Sequence, residues 1–150
     1  MQGYGNYAVQ QLDAGNTGYL NGYMPHDLGS LLEIATVFIA DADDATFDYS
    51  IEAAFGTDGE NYDENTTGPL ADQMALTNDT IHEISVISLF ENIVALDGFG
   101  IAFSSGAGNQ SVYLLGTRVK YVPNKPVQSG TILLNEFFVP ACAGSGAPAN

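Results

Sequence analysis

Hydrophobic and polar residues alternate along much of this chain, and the alternation predicts β-strands. The clearest case is the segment 46–55, where apolar side chains occupy every second position: Phe47, Tyr49, Ile51, Ala53 and Phe55. Because successive side chains of a strand point to opposite faces, this segment predicts a strand with one face in a core and the other in water. The same reasoning predicts further strands at 31–40, 81–89, 93–96, 99–103, 111–122 and 131–139.

The segments between these strands are polar and rich in turn-forming residues. Residues 56–72 contain three glycines and a proline and are predicted to form a long loop. Helical structure is expected only as one turn near residues 70–75. Seven or eight short strands without alternating helices favour an all-β fold, either an antiparallel β-sandwich or a barrel.

Residues 1–30 differ from the rest of the chain, since they are rich in Gly, Tyr, Asn and Gln and lack a sustained periodicity. They predict an extended N-terminal arm that packs on a partner; a disordered leader is the alternative, which the aromatic content disfavours. The partner-binding residues expected in the arm are Tyr4, Tyr7, Tyr19 and Tyr23. The expected organisation is therefore the arm at 1–30, a sandwich domain at 31–139 and a flexible C-terminal tail at 140–150. Removing residues 1–29 should then leave the sandwich folded.

The charge distribution is strongly asymmetric. Eighteen Asp and Glu residues against three Lys and Arg residues give a formal net charge of −15. A field of this sign repels phosphate, so we expect neither nucleic acid nor a membrane as a partner. The three basic residues, Arg118, Lys120 and Lys125, fall within eight positions. They either protect an exposed strand from edge pairing or form the contact patch for an acidic partner.

Few residues in the sequence have the spacing of a catalytic or metal site. Four acidic residues of the predicted 56–72 loop are weak candidates for calcium: Asp58, Glu60, Asp63 and Glu64. They do not match the ligand pattern of an EF-hand loop, so solvated acidic turns are the preferred interpretation and no cofactor is expected. His26, His82 and Cys142 are too few to predict a zinc site or a nucleophile with its base. We therefore expect a protein without enzymatic activity.

Two segments in the C-terminal half carry a resemblance to a known family. Residues 98–103 (GFGIAF), a Gly/Ser loop and residues 111–121 (SVYLLGTRVKY) resemble the closing strands of jelly-roll domains in tailed-phage virion proteins. The resemblance implies a jelly-roll β-sandwich, usually trimeric, that decorates a capsid as a cement protein. The chain departs from the family pattern by continuing through one more predicted strand at 131–139, which we expect to be a docking or exchanged strand.

The leading hypothesis is a structural protein that decorates a viral capsid and stabilises it by bridging capsomers. The resemblance implies the major capsid protein and further copies of this chain, as a homotrimer, as partners, and the outer capsid surface of the virion as the location. Because no signal sequence is evident, we expect synthesis in the host cytoplasm. The alternative is a carbohydrate-binding module in which Tyr49, Tyr62 and Tyr113 stack on sugars and the acidic loops hold calcium.

Overall fold

The computed structural model of the chain describes residues 2–124 and 135–141. These residues form a short 3-10 helix at Ile87–Leu89 and ten β-strands. The strands, in chain order, are β1 Gln2–Tyr4, β2 Tyr7–Leu12, β3 Thr17–Tyr23, β4 Leu28–Ala40, β5 Asp44–Gly56, β6 Asn65–Leu76, β7 Ile81–Ser85, β8 Gly98–Ser105, β9 Val112–Pro123 and β10 Asn135–Pro140.

The strands form two antiparallel sheets that pack face to face. The first sheet has the order β1-β2-β9-β4-β7, with β10 also paired to β9, and the second has the order β3-β8-β5-β6. Four pairs, β2/β9, β3/β8, β4/β7 and β5/β6, follow one another as if a long hairpin were wound into two layers. This order is that of a jelly roll. The expected all-β antiparallel sandwich is confirmed.

Aromatic side chains from both sheets fill the space between the layers. Phe38 of β4 lies 5.9 Å from Phe47 and 5.6 Å from Phe103, measured between ring centroids. All three rings are fully buried, and Phe38 comes from the first sheet while the other two come from the second. Since removal of a buried Phe side chain typically costs about 3–5 kcal/mol, this contact is a main attachment between the sheets.

The expectation of a separate N-terminal arm is wrong, because residues 2–23 belong to the two sheets. β2 pairs with β9 and β3 pairs with β8, and each contributes buried side chains to the core, such as Leu12 and Leu20. The glycines of this segment serve packing: a Cβ on Gly18 would lie 2.5 Å from Leu114 of the opposite sheet. Sparse apolar residues separated by glycine therefore form an inner strand face here, although they show little periodicity.

Four further expectations are corrected between residues 56 and 96. The predicted long loop contains β6 (Asn65–Leu76), which also replaces the expected helical turn, and the predicted strand at 93–96 is a turn. The strand predicted at 81–89 ends at Ser85 and is followed by the 3-10 helix. β6 is an edge strand whose one buried side chain is Leu76, so it lacks the apolar alternation by which strands are recognised.

The last described strand, β10, pairs with the part of the β9 edge that β2 leaves uncovered. β2 pairs with residues 112–114 of β9, and β10 pairs with residues 116–121, while β4 occupies the other edge of β9. Gly116 lies where β2 gives way to β10, and a Cβ at this position would collide with the carbonyl oxygen of Val139. The predicted strand at 131–139 is thus confirmed from residue 135 onward. Pro140 ends β10 and Ala141 is buried, whereas the rest of the predicted tail lies outside the described residues.

Candidate functional site

An open groove runs over the outer face of the second sheet, and small residues form its floor. The strand register places a longer side chain of the edge strand β3 beside a glycine or alanine of β8 in three successive rows: Tyr23–Gly98–Gly56, Asn21–Gly100–Ala54 and Tyr19–Ala102–Glu52. Leu20 and the buried residues of β5 and β8 point to the opposite face, into the core. A central strip of the sheet therefore leaves its backbone close to the surface.

The loop at residues 57–64 stands at one end of this floor. The backbone N–H of Thr57 donates a hydrogen bond of 3.0 Å to the Glu60 carboxylate, which closes the loop on itself. The loop presents Tyr62, which is 90% exposed, and the edge strand presents Tyr23, which is 77% exposed. Together with the floor they bound a groove of about 530 Å³.

Polar side chains with free hydrogen-bonding capacity line the groove. Within the described residues, the side-chain amides of Asn21 and Asn61 and the hydroxyls of the two groove tyrosines make no hydrogen bond to the protein. The charged side chains beside them are acidic, Glu52 and Glu60 among them. The groove therefore combines aromatic surface, amide donors and acceptors, and negative charge.

Several acidic side chains, including the calcium candidate Glu60, accept hydrogen bonds from backbone N–H groups. Glu60 caps the loop at Thr57, Asp43 accepts from the backbone N–H of Asn78 at 2.8 Å, and Asp44 accepts from that of Gln110 at 3.0 Å. Among residues 2–124 and 135–141, no group of three or more His, Cys, Asp or Glu side chains could hold a metal ion. The weak candidates Asp58, Asp63 and Glu64 therefore do not converge on a site within this part of the chain.

The outer face of the first sheet carries an ionic cluster around Arg118. Its guanidinium donates to both carboxylate oxygens of Glu83, at 2.9 and 2.8 Å, and to Glu33 at 2.6 Å. The ammonium of Lys120 lies 3.7 Å from Glu33 and 3.6 Å from Glu136. Two cations thus face three carboxylates.

The structure gives the expected basic contact patch a different environment. Arg118 and Lys120 share an outer face and are paired with acidic residues of β4, β7 and β10, Lys125 lies outside the described residues, and a role of the patch in binding a partner stays a prediction. Hydrogen bonds from the guanidinium are the main cause that lowers the pKa of Glu33 and Glu83, and the two carboxylates raise the pKa of Arg118. Charge complementarity on this face is satisfied within the chain.

A second apolar cluster lies on the same outer face, under the β1–β2 hairpin. Its buried members are Val9, Val37, Ile39 and Leu115. Tyr4 covers them, with its ring 4.8 Å from that of Tyr113 and its hydroxyl donating to Asp79. That hydrogen bond is the main cause that raises the pKa of Tyr4 to about 12. Tyr4 is thus engaged within the chain, and its expected role in binding a partner stays a prediction.

Three large apolar side chains remain exposed around this cluster, and we call them the docking face. Ile81 lies directly opposite Ile39 in the β4/β7 pair and is 48% exposed. Phe138 lies over Gly116, beside Arg118, and is 47% exposed, and Tyr7 is half exposed in the hairpin. The first sheet therefore presents apolar surface beside a neutralised ionic cluster.

The other tyrosines singled out in the sequence have different environments. Tyr49 packs against Phe103, with 6.3 Å between ring centroids, and burial raises its pKa. Tyr113 lies under Tyr4. Tyr49 and Tyr113 therefore offer no free stacking surface, whereas the exposed Tyr62 does. Tyr7, Tyr19 and Tyr23 are exposed, and their role in binding stays a prediction.

The histidine in β7 has a structural environment. The ring of His82 lies 5.7 Å from that of Phe38, and its Nε2 accepts a hydrogen bond of 3.2 Å from the backbone N–H of Thr77. Its neighbour Glu83 points to the outer face, so the two side chains do not form a pair. The part of the chain that the structure describes contains no helix with the length and apolar character of a bilayer span.

Comparison with known proteins finds no family model and no curated protein that matches this chain. Among solved structures, the protein Thermotoga maritima 1070 is similar, with 14% sequence identity over 89% of this chain and 100% of that chain, and a TM-score of 0.38. A similarity of this extent carries no argument about function.

Proposed function

We propose that this chain is a non-catalytic structural protein of a virion, which decorates the outer surface of a viral capsid and bridges its capsomers. The docking face on the first sheet is the observation that carries this proposal. The jelly-roll strand order supports it as well, because the sequence resemblance to phage decoration domains implies that fold. Jelly rolls are common in viral capsid proteins and in lectins, so the fold by itself does not separate these two functions.

The docking face has the composition of a protein interface. Exposed Phe138, Ile81 and Tyr7 supply apolar contact area, and the ionic cluster around Arg118 forms a polar border next to it. Stable interfaces combine an apolar centre with a polar rim, and charged groups that are already paired lose less on desolvation than unpaired ones. The two cations offset most of the negative charge of this cluster, so the face repels an acidic partner less than the rest of a chain with net charge −15 does.

Attachment through a sheet face differs from attachment through a flexible arm. The residues of the docking face lie on β2, β7 and β10 and are held by strand pairing before binding. A preorganised surface loses little conformational entropy when it binds, so a small contact area can suffice for attachment. The proposed partners are the major capsid protein and two further copies of this chain in a homotrimer, assembled after synthesis in the host cytoplasm.

The test is co-sedimentation of the purified chain with capsids assembled from the major capsid protein encoded in the same genome. Phe138→Asp and Ile81→Asp should each abolish binding, while Tyr23→Asp on the opposite sheet should bind as the unmodified chain does. Circular dichroism verifies that each variant is folded, and light scattering measures whether the free chain is a trimer. Absence of co-sedimentation of the unmodified chain, or equal binding of all variants, would contradict the proposal.

A further inference from the structure

We infer that the groove on the second sheet binds a neutral oligosaccharide chain, with Tyr23 and Tyr62 as its stacking platforms. This site is separate from the docking face, because the two lie on the outer faces of opposite sheets. A chain docked through the first sheet would present the groove outward.

The exposure of the two tyrosines points to a stacking ligand. Tyr62 and Tyr23 rank among the most exposed large apolar side chains of the described residues, and both border the same groove. Single exposed aromatics are ordinary, but two on one groove form a defined apolar surface. A pyranose ring has a face of C–H groups that packs on an aromatic ring, and its hydroxyls reach polar groups at the rim, which matches the amphipathic character of tyrosine.

The small floor lets a flat ligand lie against the sheet. A Cβ on Gly98 would lie 3.1 Å from the ring of Tyr23, and one on Gly100 would lie 3.3 Å from the side-chain oxygen of Asn21. The two glycines thus allow the Tyr23 ring and the Asn21 amide to lie low against the floor. Ala54 of β5 pairs with Gly100, and its small side chain leaves the floor of the groove low at that position as well. Side chains of ordinary size at these positions would fill the groove.

The polar groups and the charge of the groove define the class of sugar. The amides of Asn21 and Asn61 offer donors and acceptors to sugar hydroxyls or N-acetyl groups. Glu52 and Glu60 lie beside them, and the described basic residues Arg118 and Lys120 are on the other sheet. The carboxylates beside the groove would repel uronic acids and sulfated sugars, so an uncharged sugar chain suits the negative potential there.

The size and shape of the groove favour several linked sugar rings over a single sugar. Its volume of about 530 Å³ lies within the range that holds small organic ligands. The loop at residues 57–64 bounds one end, and the groove is open along the sheet beyond it, so a longer chain can continue past the edge strand. An oligosaccharide of a few rings would contact Tyr62 at the loop and Tyr23 at the edge strand together.

The test is an NMR titration of the isotope-labelled full chain with defined oligosaccharides. The neutral probes are the hexamers of N-acetylglucosamine, glucose (as cellohexaose), xylose and mannose. The anionic probe is oligogalacturonate. At least one neutral hexamer should shift the backbone signals of Gly98, Gly100 and Asn61, and oligogalacturonate should shift none of them. A proline-rich peptide is included because aromatic-lined grooves also hold such segments. Binding of that peptide without any neutral sugar would overturn the inference.

Matched variants connect the binding to the stacking residues. Tyr62→Ala and Tyr23→Ala should each weaken binding about tenfold or more, the loss typical of a contact that dominates an interface. Ala54→Gln, which fills the floor, should have a similar effect, and Tyr7→Ala, an exposed tyrosine on the other sheet, should leave affinity unchanged. Affinity that is insensitive to both groove tyrosines, or equally sensitive to Tyr7→Ala, would refute the site.

Discussion

Leu20 and Tyr19 are neighbours in a segment whose sequence predicts a separate arm, and the structure gives them opposite environments. Leu20 is 2% exposed and belongs to the core, whereas Tyr19 is 61% exposed on the outer face. If residues 17–23 form strand β3 of the second sheet, replacing one or the other with alanine must have very different consequences. An arm outside the sandwich would make the two substitutions equally mild.

The magnitude follows from burial. Leu→Ala substitutions at fully buried sites cost about 2–5 kcal/mol, since the transfer free energy of the side chain is lost and a cavity remains. We expect Leu20→Ala to fall in that range, which corresponds to a decrease in Tm of roughly 5–15 °C for a domain of this size. Tyr19→Ala removes an exposed side chain and should change the free energy of unfolding by no more than about 0.5 kcal/mol.

The assay is urea unfolding followed by far-UV circular dichroism, with the slope of the transition compared among the two variants and the unmodified chain. A lower midpoint with an unchanged slope for Leu20→Ala would place the loss in the folded state. Tyr19→Ala serves as the internal control because it lies in the same strand and backbone environment. Equal, small effects of both substitutions would refute the placement of β3 in the sandwich.

Three other predictions test separate features of the fold. Deleting residues 1–29 should abolish cooperative unfolding in calorimetry, because β2 and β3 are removed, whereas deleting residues 1–4 should leave a folded protein. Arg118→Gln should lower the free energy of unfolding by about 0.5–1 kcal/mol at pH 7, because the two hydrogen bonds from the guanidinium to Glu83 are lost. The value is small because solvent screens a partly exposed ion pair. Because the pKa of Glu83 is lowered in the fold, this difference should be present above pH 4.5 and vanish as the pH falls through the lowered value. An alkaline titration should show Tyr4 ionising near pH 12. The stability from its hydrogen bond should be present below pH 10 and lost as the pH rises through about 12, and Tyr4→Phe should abolish both effects.

The strands whose side-chain directions follow most clearly from the sequence lie inside a sheet with one face in the core. β5 alternates as expected, with Phe47 and Ile51 fully buried. The side chains of β9 also alternate, since Val119 and Tyr121 are buried and Arg118 lies on the outer face. In these strands, burial on one face and solvent on the other impose the period of two that the sequence displays.

The edge strands β6 and β3 carried much less signal. The inner side chains of β6, such as Leu70 and Met74, are only partly buried, so its alternation of apolar and polar residues is weak. In β3 the inner positions are Gly18, Leu20 and Gly22, because Leu114 and Phe99 fill the space that larger side chains would occupy. A strand whose inner positions are glycines, with the side chains of its neighbours filling the core there, has a sequence like that of a flexible segment. This is why the sequence of residues 1–30 predicts an arm.

The groove and the ionic cluster depend on register between distant segments, which no local pattern contains. Tyr23 and Gly98 are far apart in the sequence and become neighbours only when β3 pairs with β8. Arg118 likewise contacts Glu33 of β4 and Glu83 of β7, so bases that are clustered in the sequence are paired with acids in the fold. Local runs of one residue type were therefore a poor guide to the sites of this chain.

The two outer faces of the sandwich differ in what they leave unsatisfied, and this difference separates the two proposals. The first sheet pairs its charges internally and leaves apolar side chains such as Phe138 exposed, a combination that fits a protein surface. The second sheet leaves amides and tyrosines without protein partners over a low floor, a combination that fits a sugar. Because Phe138→Asp and Tyr62→Ala act on opposite faces, loss of capsid attachment and loss of sugar binding can be measured independently. A chain that fails one test and passes the other would still have an identified binding face.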